Sequence, residues 1–236
     1  MGEISSYIYS LYGEYGILDW LSASATAPYI SVENETGALD PIHGVSKVEG
    51  IQDLNLFLKA RVLDKKFENN AKLALGGATG ISVPIGGYDA AGIISLGNGA
   101  TAFDGCGFIQ YTTAANLFLE LQAVYSLKSS SDFDIPNALV YSAKLGYFND
   151  WFYAHAKIGV QNSLSGFDIG SQEFIDAGRA AALPEAEVDF ANVYFDIYVP
   201  IFKKSLGISS GYAINMDGRN YNKESAFSVG LVYTAR

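Results

Sequence analysis

Few residues in this chain are of a type that could carry out acid–base chemistry. His155 is the only histidine inside a predicted strand, and Ser142 lies on the strand before it. A serine hydrolase needs such a serine beside the histidine, together with a polar group that orients the histidine. Nothing in the sequence sets the register between the two strands, so we infer no catalytic residue and predict that the protein is not an enzyme.

Two further patterns resemble cofactor or metal sites. Residues 97–102, Gly-Asn-Gly-Ala-Thr-Ala, imitate a dinucleotide-binding fingerprint, but no helical period follows them and no βαβ unit surrounds them. The acidic loop residues Asp132, Asp134, Asp168 and Asp176 could bind divalent cations, although exposed loop carboxylates are usually solvated. We therefore predict no cofactor and no metal site.

Charged and polar residues alternate with apolar residues elsewhere in the chain. In segment 53–63, Leu54 and Leu58 occupy one parity, and the other parity carries residues such as Lys59 and Arg61. Charged groups on one face of a strand cannot lie in a dry core without partners, whereas a hydrated lumen accommodates them. The residues predicted to line a lumen or pore are Asp53, Asn55, Phe57, Lys59, Arg61, Lys72, Asp104, Gln110, Phe118, Glu120, Gln122, Lys144, Tyr153, His155, Lys157, Gln161, Asn192, Tyr194, Asp196 and Tyr198.

This set has two interpretations. It could line a polar channel or binding lumen, or it could form a closed interior held by ion pairs and hydrogen bonds, as in small barrels. The aromatic residues of the set could form a path for apolar rings or could simply pack against each other. They are Phe57, Phe118, Tyr153, Tyr194 and Tyr198.

The elements that must position these side chains are unusually long strands. Segments 115–127, 138–148 and 151–162 each alternate apolar and polar residues with a period of two, the signature of a strand. These strands run about 11 to 13 residues, against about 5 or 6 in ordinary globular proteins. A tilted strand that crosses a bilayer needs about 9 to 11. We therefore predict an all-β protein, a transmembrane antiparallel β-barrel with its apolar parity toward lipid.

Composition excludes several other classes. Hydrophobic residues make up 49 % of the 236 residues and charged residues 17 %. There is no apolar run of about 18 residues, which excludes a helical membrane protein. A formal charge of −10 argues against nucleic acid as a partner. The single cysteine, Cys106, can form no internal disulfide.

The chain is predicted to form a single domain over residues 1–236. We count about eleven strands whose connections alternate between short turns and long loops, as in outer-membrane barrels. An odd count would leave the first and last strands parallel, so we predict a barrel of about 12 strands, with one strand missing at the N-terminus or supplied by another chain. Residues 1–10 lack the regions of a signal peptide, so we take the sequence to be a mature or truncated form with an added Met1, from which that peptide has been removed.

Several short motifs together resemble a known family. They are residues 14–19 (Glu-Tyr-Gly-Ile-Leu-Asp), 28–29 (Pro-Tyr), 50–54 (Gly-Ile-Gln-Asp-Leu), 81–86 (Ile-Ser-Val-Pro-Ile-Gly) and 217–220 (Asp-Gly-Arg-Asn). In these motifs, and over nearly its whole length, the chain resembles the outer-membrane β-barrel transporter family named for a meta-pathway of phenol degradation. The resemblance implies a barrel of roughly twelve strands that admits small hydrophobic or aromatic compounds.

Three functions follow as hypotheses. The first is a porin-like channel or transporter for small molecules in the outer membrane of a Gram-negative bacterium, in contact with lipid and lipopolysaccharide. The second is a plugged structural barrel that binds a partner chain at its open seam or through its loops. The third is a soluble ligand-binding barrel, against which the strand lengths and the apolar outer parity argue.

Overall fold

The computed structural model describes residues 3–202 and 205–235, and regular structure in these ranges is mostly β-strand. Between Ser163 and Asp189 lie a short helix, α1 (Gln172–Asp176), and a 3₁₀ helix (Arg179–Glu185). In the described ranges, no helix combines the length and the apolar character needed to cross a membrane. The strands are β1 (Ile4–Leu18), β2 (Leu21–Asn34), β3 (Lys47–Ile51), β4 (Asp53–Lys66), β5 (Lys72–Pro84), β6 (Thr101–Thr112), β7 (Leu117–Ser129), β8 (Ala138–Phe148), β9 (Tyr153–Ser163), β10 (Asp189–Phe202), β11 (Leu206–Arg219) and β12 (Ser225–Tyr233).

The strands form one antiparallel sheet in which chain neighbours are also sheet neighbours, in the order β1-β2-β4-β5-β6-β7-β8-β9-β10-β11-β12. The exception is β3, which pairs with the second half of β2 while β4 pairs with the first half. Because only Gln52 separates β3 from β4, the two occupy one position in the sheet. The prediction of about eleven strands in an antiparallel barrel-type sheet is confirmed, and the sheet forms a half-barrel.

The two edges of the sheet are β1 and β12, which run in the same direction because the path between them contains an odd number of antiparallel strands. Within residues 3–202 and 205–235, neither edge strand pairs on its outer side. Leu11 of β1 is 78 % exposed and Leu231 of β12 is 77 % exposed. Each edge therefore presents unpaired backbone groups. We call the gap between β1 and β12 the seam.

The two faces of the sheet differ in chemistry, as the period-two pattern predicts. On β7, Leu117, Leu119 and Leu121 are about half exposed. Phe118, between the first two, and Ser126, further along the strand, have the opposite parity and are buried. The same alternation recurs on the neighbouring strands. We call the face with the exposed leucines the outer face and the opposite one the inner face. Exposed apolar surface on this scale marks contact with lipid or with another apolar partner.

Successive connections alternate between the two ends of the sheet, because every strand pair is antiparallel. Short turns at one end occupy residues 19–20, 67–71, 113–116 and 149–152, and the longer loops at the other end include 35–46, 85–100 and 164–188. Because β3 extends the pairing of β2, the first long loop covers only residues 35–46. The loop after β9 contains α1, which begins where the Ser171 hydroxyl accepts a hydrogen bond from the Phe174 N–H.

The small apolar core lies on the inner face at the loop end. It is a cluster of Ile30 and Val32 of β2 with Ile94 and Leu96 of loop 85–100, all buried. Ile30 pairs with Ile8 in the register of β1 and β2. It points to the face opposite to that of its neighbour Tyr29, which is exposed on the outer face. Loop 85–100 therefore folds inward over the inner face instead of standing away from the sheet.

Candidate functional site

The register of the sheet decides which polar side chains become neighbours on the inner face. Gln110, Glu120, Lys144, Lys157 and Tyr194 belong to five adjacent strands and pair in that order. The next row toward the turns contains Thr112, Phe118, Gly146, His155 and Asp196. Residues far apart in the sequence thus form continuous rows across the inner face.

All twenty residues predicted to line a lumen lie on this face, since cross-strand partners point to the same side of a sheet. Their accessibility differs. Phe118 is 4 % exposed and Asn192 is 7 % exposed, so both present little surface. Lys72 is exposed near the turn end, and most of the others are half-buried.

Ion pairs join many of the charged groups on the inner face. Lys144 and Glu120 are the least exposed pair, with side chains 24 % and 19 % accessible. Glu14 pairs with Lys59, and its carboxylate also accepts hydrogen bonds from the hydroxyls of Tyr12 and Ser22. The nitrogen–oxygen distances are 2.8 Å for Lys144–Glu120, 2.9 Å for Lys59–Glu14, 2.9 Å for Arg61–Asp64 and 3.3 Å for His155–Asp196.

Lys157 has a different environment. Its Nζ lies 4.7 Å from the centre of the Tyr194 ring, a cation–π distance. In the described part of the chain, no carboxylate oxygen lies within ion-pair distance of this ammonium. Lys157 also pairs directly with Lys144 across β8 and β9, so two cations lie side by side with Glu120 bonded to one of them.

The register also separates the residues that a hydrolase would have to bring together. Ser142 pairs with Gln122 and Gly159, and its hydroxyl lies 3.4 Å from the Gln122 side-chain oxygen. His155 instead faces Asp196 through Nε2, and among the described residues its buried Nδ1 has no hydrogen-bond partner. His155 and Ser142 therefore lie in different rows of the inner face.

A cluster of aromatic rings covers the turn end of the inner face. Phe118 and Tyr153 stack with ring centres 5.5 Å apart and an interplanar angle of 15°. Phe148 lies 6.3 Å from Phe118, and His155 lies 5.4 Å from Tyr153. Contacts between aromatic rings at such distances are favourable beyond the area they bury. The stacking explains why Phe118 is buried although it faces the interior.

Two residues that anchor loop 85–100 to this face were not predicted. Tyr88 donates a hydrogen bond of 2.5 Å to Oδ1 of Asp53 on β4. Asp40, 3 % exposed, accepts hydrogen bonds from the backbone N–H groups of Ile93 and Ile94 through Oδ2. Asp40 precedes Pro41 in a segment of turn-forming residues. Its contact with a loop about fifty residues away produces no local sequence pattern from which the contact could be predicted.

The other carboxylate oxygen of Asp40 also accepts two backbone hydrogen bonds. Oδ1 accepts from the N–H groups of Ile42 and His43, and the His43 ring lies 2.9 Å from the carbonyl oxygen of Ala91. Burial alone would raise the pKa of Asp40, but the four backbone donors outweigh it and hold the pKa below its usual value. Asp40 thus joins loop 35–46 to loop 85–100 as a charged group.

The long loop after β9 is held by the end of β11. The Arg219 guanidinium donates two hydrogen bonds of 2.7 Å to the carboxylate of Asp168 and contacts Glu187 at 2.5 Å. The side-chain amide of Asn220 donates to the carbonyl oxygen of Glu187 at 2.7 Å. Asp168 is therefore an ion-pair partner and not simply solvated. Within the described ranges, no group of three or more potential metal ligands comes together.

Comparisons with known proteins agree with this architecture. Among solved structures, an outer membrane channel from Pseudomonas putida F1 is similar with a TM-score of 0.65 and 15 % sequence identity, over 95 % of this chain and 80 % of that one. No curated protein sequence matches the chain. The family model for the MetA-pathway of phenol degradation matches residues 3–231. The chain therefore belongs to the MetA-pathway of phenol degradation family, as its sequence motifs predicted.

Proposed function

We propose that the protein is an outer-membrane channel for small molecules. One observation carries the proposal: a single sheet presents exposed leucines and aromatics on its outer face and ion-paired charges on its inner face. A transmembrane barrel needs this distribution, with an apolar band toward lipid and a polar interior. The structural similarity to an outer membrane channel supports the same function.

The substrate class that we propose is small hydrophobic or aromatic compounds. Phe57, Phe108, Tyr194 and Tyr198 are half-buried on the inner face, so part of each ring remains accessible. A path that alternates rings with charged pairs can bind an apolar ring without excluding water entirely. The family, named for phenol degradation, supports this substrate class.

A plugged barrel is the second candidate, and loop 85–100 favours it. Ile94 and Leu96 of this loop pack on the inner face, and Tyr88 bonds to Asp53 there. A loop in that position narrows the interior at the loop end. If the loop stayed in place, the barrel would serve as a structural or partner-binding protein in the outer membrane.

The seam is the surface that we propose for a further strand, from another chain or from another part of the polypeptide. Both edges are long and exposed, and β1 carries one charged residue, Glu14, while β12 carries none. In lipid, unpaired backbone groups cost several kcal/mol each, so a barrel closes its edges. The outer face is expected to contact membrane lipid and lipopolysaccharide.

Conductance measurements test the proposed channel. The purified protein should require detergent for extraction and, in a planar lipid bilayer, should produce discrete current steps that heat-denatured protein does not produce. A folded protein that inserts into the bilayer but carries no current would favour the plugged barrel. A protein that stays in solution without detergent would contradict both candidates.

A further inference from the structure

Four aromatic side chains of the inner face lie over glycines of an adjacent strand. The Phe57 ring lies over Gly80, its partner in the register of β4 and β5. Phe108 lies over Gly76, its partner on β5. On the same face, further along the sheet, Phe118 of β7 lies over its partner Gly146, and the Tyr198 ring of β10 lies over Gly207.

Glycine is required at these positions because the rings occupy the space of a side chain. A Cβ atom at any of the four glycines would come closer than 3.0 Å to ring atoms. At Gly80 and Gly207 the three nearest atoms all belong to the aromatic side chain, so that side chain is the main obstacle there. At Gly76 a backbone oxygen is nearer still than the ring, and at Gly146 one lies almost as close. Each ring is thereby kept against the wall of the barrel.

One of these rings already has a second ring stacked on it. Tyr153 stacks on Phe118 with ring centres 5.5 Å apart and an interplanar angle of 15°, while Phe118 fills the space beside Gly146. Phe118 therefore shows that a ring lying on a glycine can carry a second stacked ring. The rings of Phe57 on β4 and Phe108 on β6 lie on glycines too, but both remain half-buried and their surfaces are not fully covered.

We propose that Phe57 and Phe108, each lying on a glycine of β5, form a binding site for planar aromatic molecules inside the barrel. This inference rests on the proposed function, since the ligand must reach the interior. A planar ring enters by stacking on the accessible surface of either phenylalanine, as Tyr153 does on Phe118. A saturated ring of the same size is puckered and has no π face, so it packs less favourably on the phenylalanine, and the site distinguishes molecules by planarity and not by size alone.

Two probes that differ in this property test the site. Phenol and cyclohexanol each carry one hydroxyl on a six-membered ring, and only phenol is planar and aromatic. In single-channel recordings, phenol is expected to interrupt the current at lower concentration than cyclohexanol. Isothermal titration calorimetry on the detergent-solubilised protein measures the same preference without requiring current, so a non-conducting protein still provides a test.

Substitutions locate the site. Phe57→Leu and Phe108→Leu should each weaken phenol binding by about 2- to 10-fold, the value of one aromatic contact, and leave cyclohexanol unaffected. Phe103→Leu is the matched control, because Phe103 is on the same strand as Phe108 but faces outward and is 54 % exposed. Equal binding of the two probes, or an equal effect of Phe103→Leu, would overturn the proposal.

A second variant tests the glycine. Gly80→Ala should push the Phe57 ring away from the wall, which lowers both the conductance and the affinity for phenol. Adding Phe57→Leu to Gly80→Ala should restore the conductance but not the phenol binding. Gly105→Ala is the control, because no atom lies near the position of its Cβ. If Gly80→Ala changed neither property in a folded barrel, the ring would not depend on the glycine and the proposal would be wrong. If the unmodified protein carried no current, that result would contradict the channel function and not the binding site.

Discussion

Asp40 and Ile94 are 54 residues apart in the sequence and are joined by a hydrogen bond of 3.0 Å from the Ile94 N–H to the Asp40 carboxylate. Both residues are buried. The bond fixes loop 85–100 to loop 35–46 while Ile94 packs on Ile30 and Val32. Asp40 therefore holds the inward loop together with the apolar contacts of Ile94.

Replacing Asp40 by asparagine is expected to release loop 85–100. An amide NH₂ would face two backbone donors that now bond to a carboxylate oxygen, and each unsatisfied buried donor costs about 1 to 3 kcal/mol. The measurement is the rate of proteolytic cleavage within residues 85–100 in the folded barrel, which should rise. Asp132→Asn is the control, because Asp132 is exposed in another loop. An unchanged cleavage rate would mean that the apolar contacts alone hold the loop.

The contact should also depend on pH. The pKa of Asp40 is lower in the folded protein than in the unfolded chain, so its stabilising contribution is complete above the ordinary aspartate value of about 3.9 and is lost as the pH falls through the lower folded value. We expect the cleavage rate to stay constant from about pH 7 to about pH 4 and to rise only in more acidic solution. Asp40→Asn should abolish this rise. A midpoint near pH 6 would assign the change to a histidine.

Charge reversal on β4 should change ion selectivity. Lys59→Glu with Arg61→Glu replaces two inner-face cations, paired with Glu14 and Asp64, by carboxylates. The reversal potential in a KCl gradient should shift toward cation selectivity. Lys65→Glu is the matched control, because Lys65 pairs with Leu73 on the outer parity near the turns. Unchanged selectivity in an open channel would contradict the assigned orientation of the strand.

A charge on the outer face should destabilise the barrel far more than the same charge on the inner face. Leu121→Arg places a guanidinium on the apolar face near the middle of β7, where the cost in lipid is about 2 to 4 kcal/mol. Gln122→Arg places it one residue further, on the inner face, and should cost much less. Urea-induced unfolding in lipid vesicles measures the difference. Equal free energies of unfolding would show that the outer face does not contact lipid.

The sequence by itself determined the strands and their two faces. A period of two is a local property, so the alternation of Leu117, Leu119 and Leu121 with Phe118 and Glu120 predicts both a strand and its sidedness. The number of strands and the antiparallel barrel-type sheet followed from the same local patterns, and the family followed from the resemblance of several short motifs. The placement of all twenty inner-face residues also follows from parity, because none of them lies beyond the bulges of β4 and β10, where the alternation shifts by one residue.

Only the tertiary structure decided which of these residues meet. Pairing of Glu120 with Lys144, and of Phe57 with Gly80, depends on the register between strands, which a one-residue slip would change without altering either sequence pattern. The inward fold of loop 85–100 is held in part by Asp40, whose partners Ile93 and Ile94 lie in a distant loop. Contacts of this kind are set by the closure of the chain in three dimensions, and no local propensity encodes them.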